Sequence, residues 1–342
     1  MLRLPLFRPR QLAPGLLCLL LGCGASGPQD RFDRYLARLE RTLDAAASKP
    51  IMAAIPPPPR PGSLRIIFEA GKLTALDFLA LSGCALQVTI GKRNSSLGLM
   101  ASDSQRLLLD LEYLQLAPDC VQYLRAGGQA ALAVQLEREF ELKRDQLPGR
   151  IFNATLGSDE YRQFWRPPYA LATYPERTSS AVVTALAAIN QAVGRWLAGD
   201  YRFDNMEFEI LLNEVSAGDG GALLQALHLQ SEWLAAADRM LADRLVRRQQ
   251  TTFLRNEAEA DILANVVARF FIAGIQPWSA GVERRRQSLL PEVQALEELL
   301  AATLPAHYRQ WQQQRNHSLL TWSDAPRRHV QHLQAVQSAL AQ

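Results

Sequence analysis

Histidine and cysteine are scarce in this sequence, five and four among 342 residues, and no His-Glu-x-x-His pair occurs, so the usual zinc-hydrolase signature is missing. Also missing are a Gly-x-Ser-x-Gly nucleophile elbow and a phosphate-binding glycine loop followed by Lys and Ser or Thr. The apolar run near the front, from about Leu16 to Leu21, falls well short of the roughly 20 residues that a membrane-spanning helix needs. Charge of one sign is lacking too. The 37 Lys and Arg barely exceed the 34 Asp and Glu, for a net charge of +3. Arg3, Arg8 and Arg10 precede Cys23 and no acidic residue does, so the chain from Cys23 onward is balanced. Neutrality gives no reason to expect a nucleic-acid partner.

The front does contain a basic start, an apolar core and then small residues, which is the layout of an export signal. Its end, Leu20-Leu21-Gly22-Cys23, resembles the lipobox of bacterial lipoprotein precursors, where the thiol takes a diacylglyceryl group and cleavage leaves the cysteine first. The expectation is a lipoprotein signal peptide over residues 1–22, a lipidated tether over 23–30 and a helical domain over 31–342. Several acyl chains together give durable attachment where one gives only marginal binding. Gly24 rather than Asp after the anchor resembles lipoproteins exported to the outer membrane, which places the protein in the envelope facing the periplasm. With Cys18 in the signal and Cys23 as the anchor, Cys84 and Cys120 remain. They form either a disulfide, which an oxidising compartment permits, or two separate buried thiols.

Apolar residues then recur every three or four positions, which predicts a mainly α protein built as an irregular multi-helix bundle. Phe32, Tyr35, Leu36, Leu39 and Leu43 mark a first helix, and "IPPPPRPG" at 55–62 a stiff extended connector. "LRIIF", residues 64–68, has the composition of a short strand. A helix through Leu107, Leu108, Leu111, Tyr113 and Leu114 is expected to stop at Pro118, and another over 128–146 to end at Leu-Pro-Gly. Pro167, Pro168 and Pro175 interrupt a stretch holding Trp165, Tyr169 and Tyr174, which suits a junction between two subdomains near 165–178. Further helices are expected over 179–197, after Asp204, and over 222–250. The acids opening "EAEADILANVVARFFIAG", together with Arg269, favour a buried or half-buried helix over a membrane segment. Pro277 and Trp278 are expected to turn the chain, Pro291 to open a new helix and Ser323 to cap the last one.

The most unusual polar stretch is "IGKRNSSLG", read as a loop in which Gly91 and Gly98 permit sharp turns. Lys92, Arg93 and Asn94, with Arg106, form a candidate set for binding an anionic polar ligand, although such a loop also suits helix capping. Glu207 and Glu214 beside Asp204 make either an acid-base pair or, the simpler reading, a solvated face. His329 and His332 share a helical face without an evident third ligand, so no metal or other cofactor is expected.

"LTALDFLALSGCALQVTIGKRNSSLG", then "SQRLLLDLEYLQLAPDC" and "LPGRIFNATLGSDEYRQFW", resemble the proteobacterial lipoprotein family called domain of unknown function 3080. The resemblance covers almost all of the chain after Cys23. It implies a lipobox at Cys23 and internal cysteines at Cys84 and Cys120, and it implies no reaction, substrate or catalytic residue. The expected function is a lipid-anchored, noncatalytic scaffold or binding protein with an envelope protein or polar ligand as partner. The alternative is an envelope hydrolase acting on cell-wall or lipid material.

Overall fold

The computed structural model describes residues 27–46, 48–52, 54–69, 74–250 and 257–341, so the signal peptide expected over 1–22 and the lipid anchor expected at Cys23 lie outside the described residues. The first helix, α1 (Pro28–Leu43), starts on a proline whose missing N–H is no loss at that position. Its Phe32, Tyr35, Leu39 and Leu43 are buried in one stripe. The connector is extended as far as Arg60, and Pro61 opens a single turn, α2 (Pro61–Leu64).

Residues 64–68 are not a strand, and among the described residues there is none. Leu64 ends α2 and the following residues are extended, but no second extended segment lies alongside. Asn153 takes that segment's place. Its side-chain amide accepts from the Ile66 N–H at 2.9 Å and donates to the Ile66 carbonyl at 2.8 Å, pairing one residue as a neighbouring strand would.

Next come α3 (Ala75–Ala80), closed at its start by a reciprocal Thr74–Asp77 capping box, α4 (Leu86–Asn94) and α5 (Ser96–Met100). The stretch read as a loop over 91–98 is thus mostly helical. Ser95 breaks it, its hydroxyl accepting from the Gly98 N–H at 3.1 Å. Gly91 lies inside α4. Gly98 is needed for close approach, since a β-carbon there would collide with the Lys92 and Arg93 carbonyls.

A long hairpin follows, α6 (Asp103–Ala126) and α7 (Ala130–Ala154), and both helices run through a proline expected to end them. Pro118 lies on the exposed side of α6, while Leu111 and Leu114 before it and Cys120, Val121 and Leu124 after it are buried. Packing on both sides offsets the roughly 3 kcal/mol that an interior proline costs. Pro148 is carried through α7 in the same way, between Leu147 and Ile151.

After α8 (Asp159–Phe164), Trp165 is fully buried against Phe164 and Trp311, whereas Tyr169 is wholly exposed. The chain continues as α9 (Ala181–Leu197), α10 (Asn205–Ser216) and α11 (Gly220–Gln250), and α11 packs against α1. Then α12 (Glu257–Val266) passes through a π-helical segment (Val267–Ile275) into α13 (Gln276–Leu299) without a turn. Pro277 therefore lies within a continuous helical run instead of turning the chain, and Pro291 lies inside α13 instead of opening a helix. Neither α12 nor any other helix among the described residues is long and apolar enough to cross a membrane.

The last two helices are α14 (Ala306–Ser323) and α15 (Ala325–Ala341). Ser323 does not cap α15. Its hydroxyl turns back to the Leu320 carbonyl at 3.0 Å. One large apolar core draws residues from Phe32 to Leu340, on both sides of 165–178, and a smaller one fills the space between α4, α6 and α7.

Gly221, in the first turn of α11, marks where the chain leaving α8 crosses that helix. A β-carbon there would overlap the Arg166 carbonyl and stand 2.7 Å from the Pro167 nitrogen. Because the obstacle is backbone, Gly221→Ala is expected to cost about 1–3 kcal/mol in urea unfolding, as overpacked interiors do. A change within about 0.5 kcal/mol would contradict so tight a crossing.

Candidate functional site

The small core carries a polar chamber on its flank. Asp110 on α6 is only 1% exposed although leucines flank it on both sides. Cations from two other helices neutralise it. Lys143 Nζ lies 2.7 Å from Oδ1, Arg93 Nη1 lies 3.2 Å from the same oxygen, and Arg150 Nε lies 2.9 Å from Oδ2. Lys143 and Arg150 are seven residues apart, two helical turns, so α7 presents both on one face. The Arg150–Asp110 contact has ion-pair distance without hydrogen-bond alignment.

Beside this cluster is a cavity of about 200 Å³, lined among others by Thr89, Arg93, Asn94, Tyr113, Lys143 and Arg150. The Thr89 and Tyr113 hydroxyls are buried there without a hydrogen-bond partner among the described residues. Aromatic faces seat the cations. Lys143 Nζ is 4.9 Å from the centre of the Tyr113 ring, and the Arg150 guanidinium 4.4 Å from that of Phe68. Glu69 and Glu139 also face the cavity.

Burial lowers the Lys143 ammonium below its ordinary range. Asp110 pulls it back up, while Arg93 and Arg150 push it further down. Arg150 is lowered for the same first reason. Tyr113 moves the other way, raised by burial and then by Glu139 and Asp110, so its phenol stays protonated and able to donate. Three cations, matched in number by Asp110, Glu69 and Glu139, and two unpartnered hydroxyls suit a strongly polar ligand whose anionic group can reach the cations.

Arg93 and Asn94, from the set chosen in the sequence, line this cavity. Lys92 points elsewhere, pairing with Glu112 at 3.1 Å beside a separate groove of about 550 Å³ that also holds Gln105 and Met206. Arg106 is occupied by the Leu99 carbonyl at 2.6 Å, and its own carbonyl accepts from Arg93 at 3.5 Å. Thr89, Asp110, Lys143 and Arg150 were not singled out in the sequence, and Tyr113 was read there only as part of an apolar helical face. The legible signal was Asp110, an acid inside "LLLDLEYL" on an otherwise apolar helical face.

Asp204 caps α10, accepting from the Glu207 N–H at 2.8 Å. His329 and His332 share Asp238, at 2.5 and 3.0 Å. The other ring nitrogen of His329 meets the Tyr35 hydroxyl at 2.8 Å. Tyr, His and Asp in line resemble a nucleophile relay, but burial and then Asp238 raise the Tyr35 phenol, the reverse of activation. The relay joins α1, α11 and α15 through the interior. Among the described residues no group of three or more His, Cys, Asp or Glu could hold a metal ion.

Cys84 and Cys120 form a disulfide, their Cα atoms 5.5 Å apart, which resolves the choice left by the sequence. No curated protein and no solved structure matches the chain. A family profile described as protein of unknown function (DUF3080) matches residues 32–342, nearly the whole of the chain, and the protein belongs to that family.

Proposed function

We propose that this is a lipid-anchored, noncatalytic binding protein of the bacterial envelope, facing the periplasm, with the cavity beside Asp110 as its recognition site. The observation that carries the binding role is the pair of unpartnered Thr89 and Tyr113 hydroxyls, buried beside the Arg93, Lys143 and Arg150 cations that gather on Asp110. A ligand carboxylate or phosphate would accept from Lys143, Arg93 and the two hydroxyls without leaving Asp110 unpaired. The anchored location is supported by the Leu20-Leu21-Gly22-Cys23 signature and by the Cys84–Cys120 disulfide, a bond that persists in oxidising compartments.

Thermal unfolding with succinate or inorganic phosphate tests the binding role. At a concentration of about 100 Kd the ligand contributes about 2.7 kcal/mol. The expected result is a rise of several degrees in Tm, abolished in Lys143→Gln. A wild-type Tm unmoved by either anion, or a rise that survives in the variant, removes the cavity from the proposal.

Intact mass of the protein recovered from its membrane fraction tests the location. A chain beginning at Cys23 and carrying the mass of acyl groups is expected. One that keeps residues 1–22 without lipid rules the anchor out.

A further inference from the structure

A second recess, of about 560 Å³, lies where the first turn of α1 meets the 174–178 turn and the start of α13. Three guanidinium groups face it, from Arg31, Arg284 and Arg285. Arg285 is anchored by Asp219 at 2.8 and 2.5 Å and by the Ser179 carbonyl at 2.9 Å, which leaves Nη1 unengaged among the described residues. Arg31 touches the exposed Glu176 at 3.6 Å, beyond hydrogen-bond distance. Arg284 is exposed and makes no ion pair or hydrogen bond among the described residues. Three cations therefore face two carboxylates, Glu176 and Asp219, and one positive charge is left over.

The wall is rigid. Trp278 donates from Nε1 to the Tyr174 carbonyl at 2.7 Å and meets the Phe32 ring edge-on, with centroids 5.5 Å apart. Arg31 follows from the same first turns of α1 as Phe32, so this packing fixes its place over the recess.

Position in the chain identifies the occupant. Pro28, where α1 begins, is five residues beyond Cys23, a reach of at most about 18 Å when fully extended. Arg31 sits in the first turn of α1. A body tethered this closely holds the recess near the headgroup layer, which is about 5–8 Å thick on each side of the hydrocarbon.

We propose that the recess docks the phosphate of an anionic phospholipid headgroup and so fixes the orientation of the anchored body on the membrane. This docking rests on the reading that Cys23 is acylated. Anionic headgroups attract each nearby arginine by about 1 kcal/mol, a factor of about five in occupancy.

The test is arginine modification by phenylglyoxal, mapped by mass spectrometry, on the full chain in vesicles of phosphatidylcholine alone or with phosphatidylglycerol. Modification of Arg31 and Arg284 is expected to slow at least about fivefold with phosphatidylglycerol. The exposed Arg125 and Arg202 serve as internal controls and should not change. Arg284→Gln, on an exposed side chain, is expected to return Arg31 toward its rate in phosphatidylcholine. Equal rates in the two vesicles, or the same protection from inorganic phosphate in phosphatidylcholine, would overturn the docking, the second result assigning the recess to a soluble anion. Intact mass of the same preparation reports the anchor separately. An unlipidated chain that still shows the protection retains the docking and loses the anchor, and a lipidated chain without protection does the reverse.

Discussion

Arg315→Ala is expected to lower the stability of the whole fold by about 3–5 kcal/mol, the cost of stranding a buried charge. Arg315 and Glu297 are both within 2–3% of complete burial, joined by two contacts of 2.8 Å. The guanidinium lies against both the Trp165 and Trp311 rings, at 4.8 and 4.9 Å from their centres, and Tyr308 donates to Glu297 at 2.6 Å. Alanine removes the cation and both ring contacts while the carboxylate stays buried. Urea unfolding followed by circular dichroism reads the loss directly. The paired change Glu297→Leu with Arg315→Met is expected to recover most of it, because a buried ion pair is often no better than apolar side chains of similar volume. A single-variant loss below about 1 kcal/mol would mean that Glu297 finds another partner or reaches solvent.

The same pair predicts a pH dependence. Burial alone would raise the Glu297 carboxyl, but Arg315 and the Tyr308 hydroxyl outweigh it and hold the group below the ordinary carboxylate range. A carboxyl lowered in the folded state contributes stability that is present above its unfolded value and is lost as pH falls through the folded one. Wild-type stability should therefore decline below about pH 4 from this source. Glu297→Gln should flatten that decline. In Arg315→Ala the carboxyl has lost its cation and burial dominates, so the deficit should be smaller at pH 4 than at pH 7.

How much of this was legible depends on whether the information was local. The stripe Phe32, Tyr35, Leu39 and Leu43 gave α1 because apolar spacing is a property of one helix. Pro118, Pro148 and Pro291 misled for the opposite reason. A proline's local cost is fixed, whereas the packing that overrides it comes from helices distant in sequence. Arg315 was legible in hindsight, since Tyr308, Trp311 and Leu319 set a buried register into which it falls, yet "QQQRNHS" reads as solvated. Glu297 lies 18 residues earlier and nothing local joins the two. The cavity divides in the same way. Arg93 and Asn94 stood out beside glycines and serines, but Lys143 and Arg150 resemble surface charges of an amphipathic helix until α6 brings Asp110 against them.

Replacing both Cys84 and Cys120 with serine is expected to cost about 2–4 kcal/mol. The cysteines are 36 positions apart, and closing a loop of that size removes unfolded-state entropy worth about 4 kcal/mol before any strain or residual structure is subtracted. The loss should be uneven across the fold. The bond joins the turn before α4 to the second half of α6, within the smaller core that includes Leu81, Leu86, Ile90, Tyr113 and Leu136. Besides this bond, α4 is held to α6 by the burial of Leu86 and Ile90 and by the Arg93–Asp110 and Lys92–Glu112 pairs, and it carries Thr89, Arg93 and Asn94 to the cavity. Hydrogen exchange should accelerate first in α4 and the adjoining turn of α6, while α11 and α15 keep their protection. Anion binding at Lys143 should weaken with it, because Arg93 would no longer be held within 3.2 Å of Asp110. Peptide mapping without reductant supplies the independent check. Two free thiols on the wild-type chain, or a double-serine variant as stable as the parent, would return Cys84 and Cys120 to the role of ordinary core residues and withdraw the oxidising compartment as support for an envelope location.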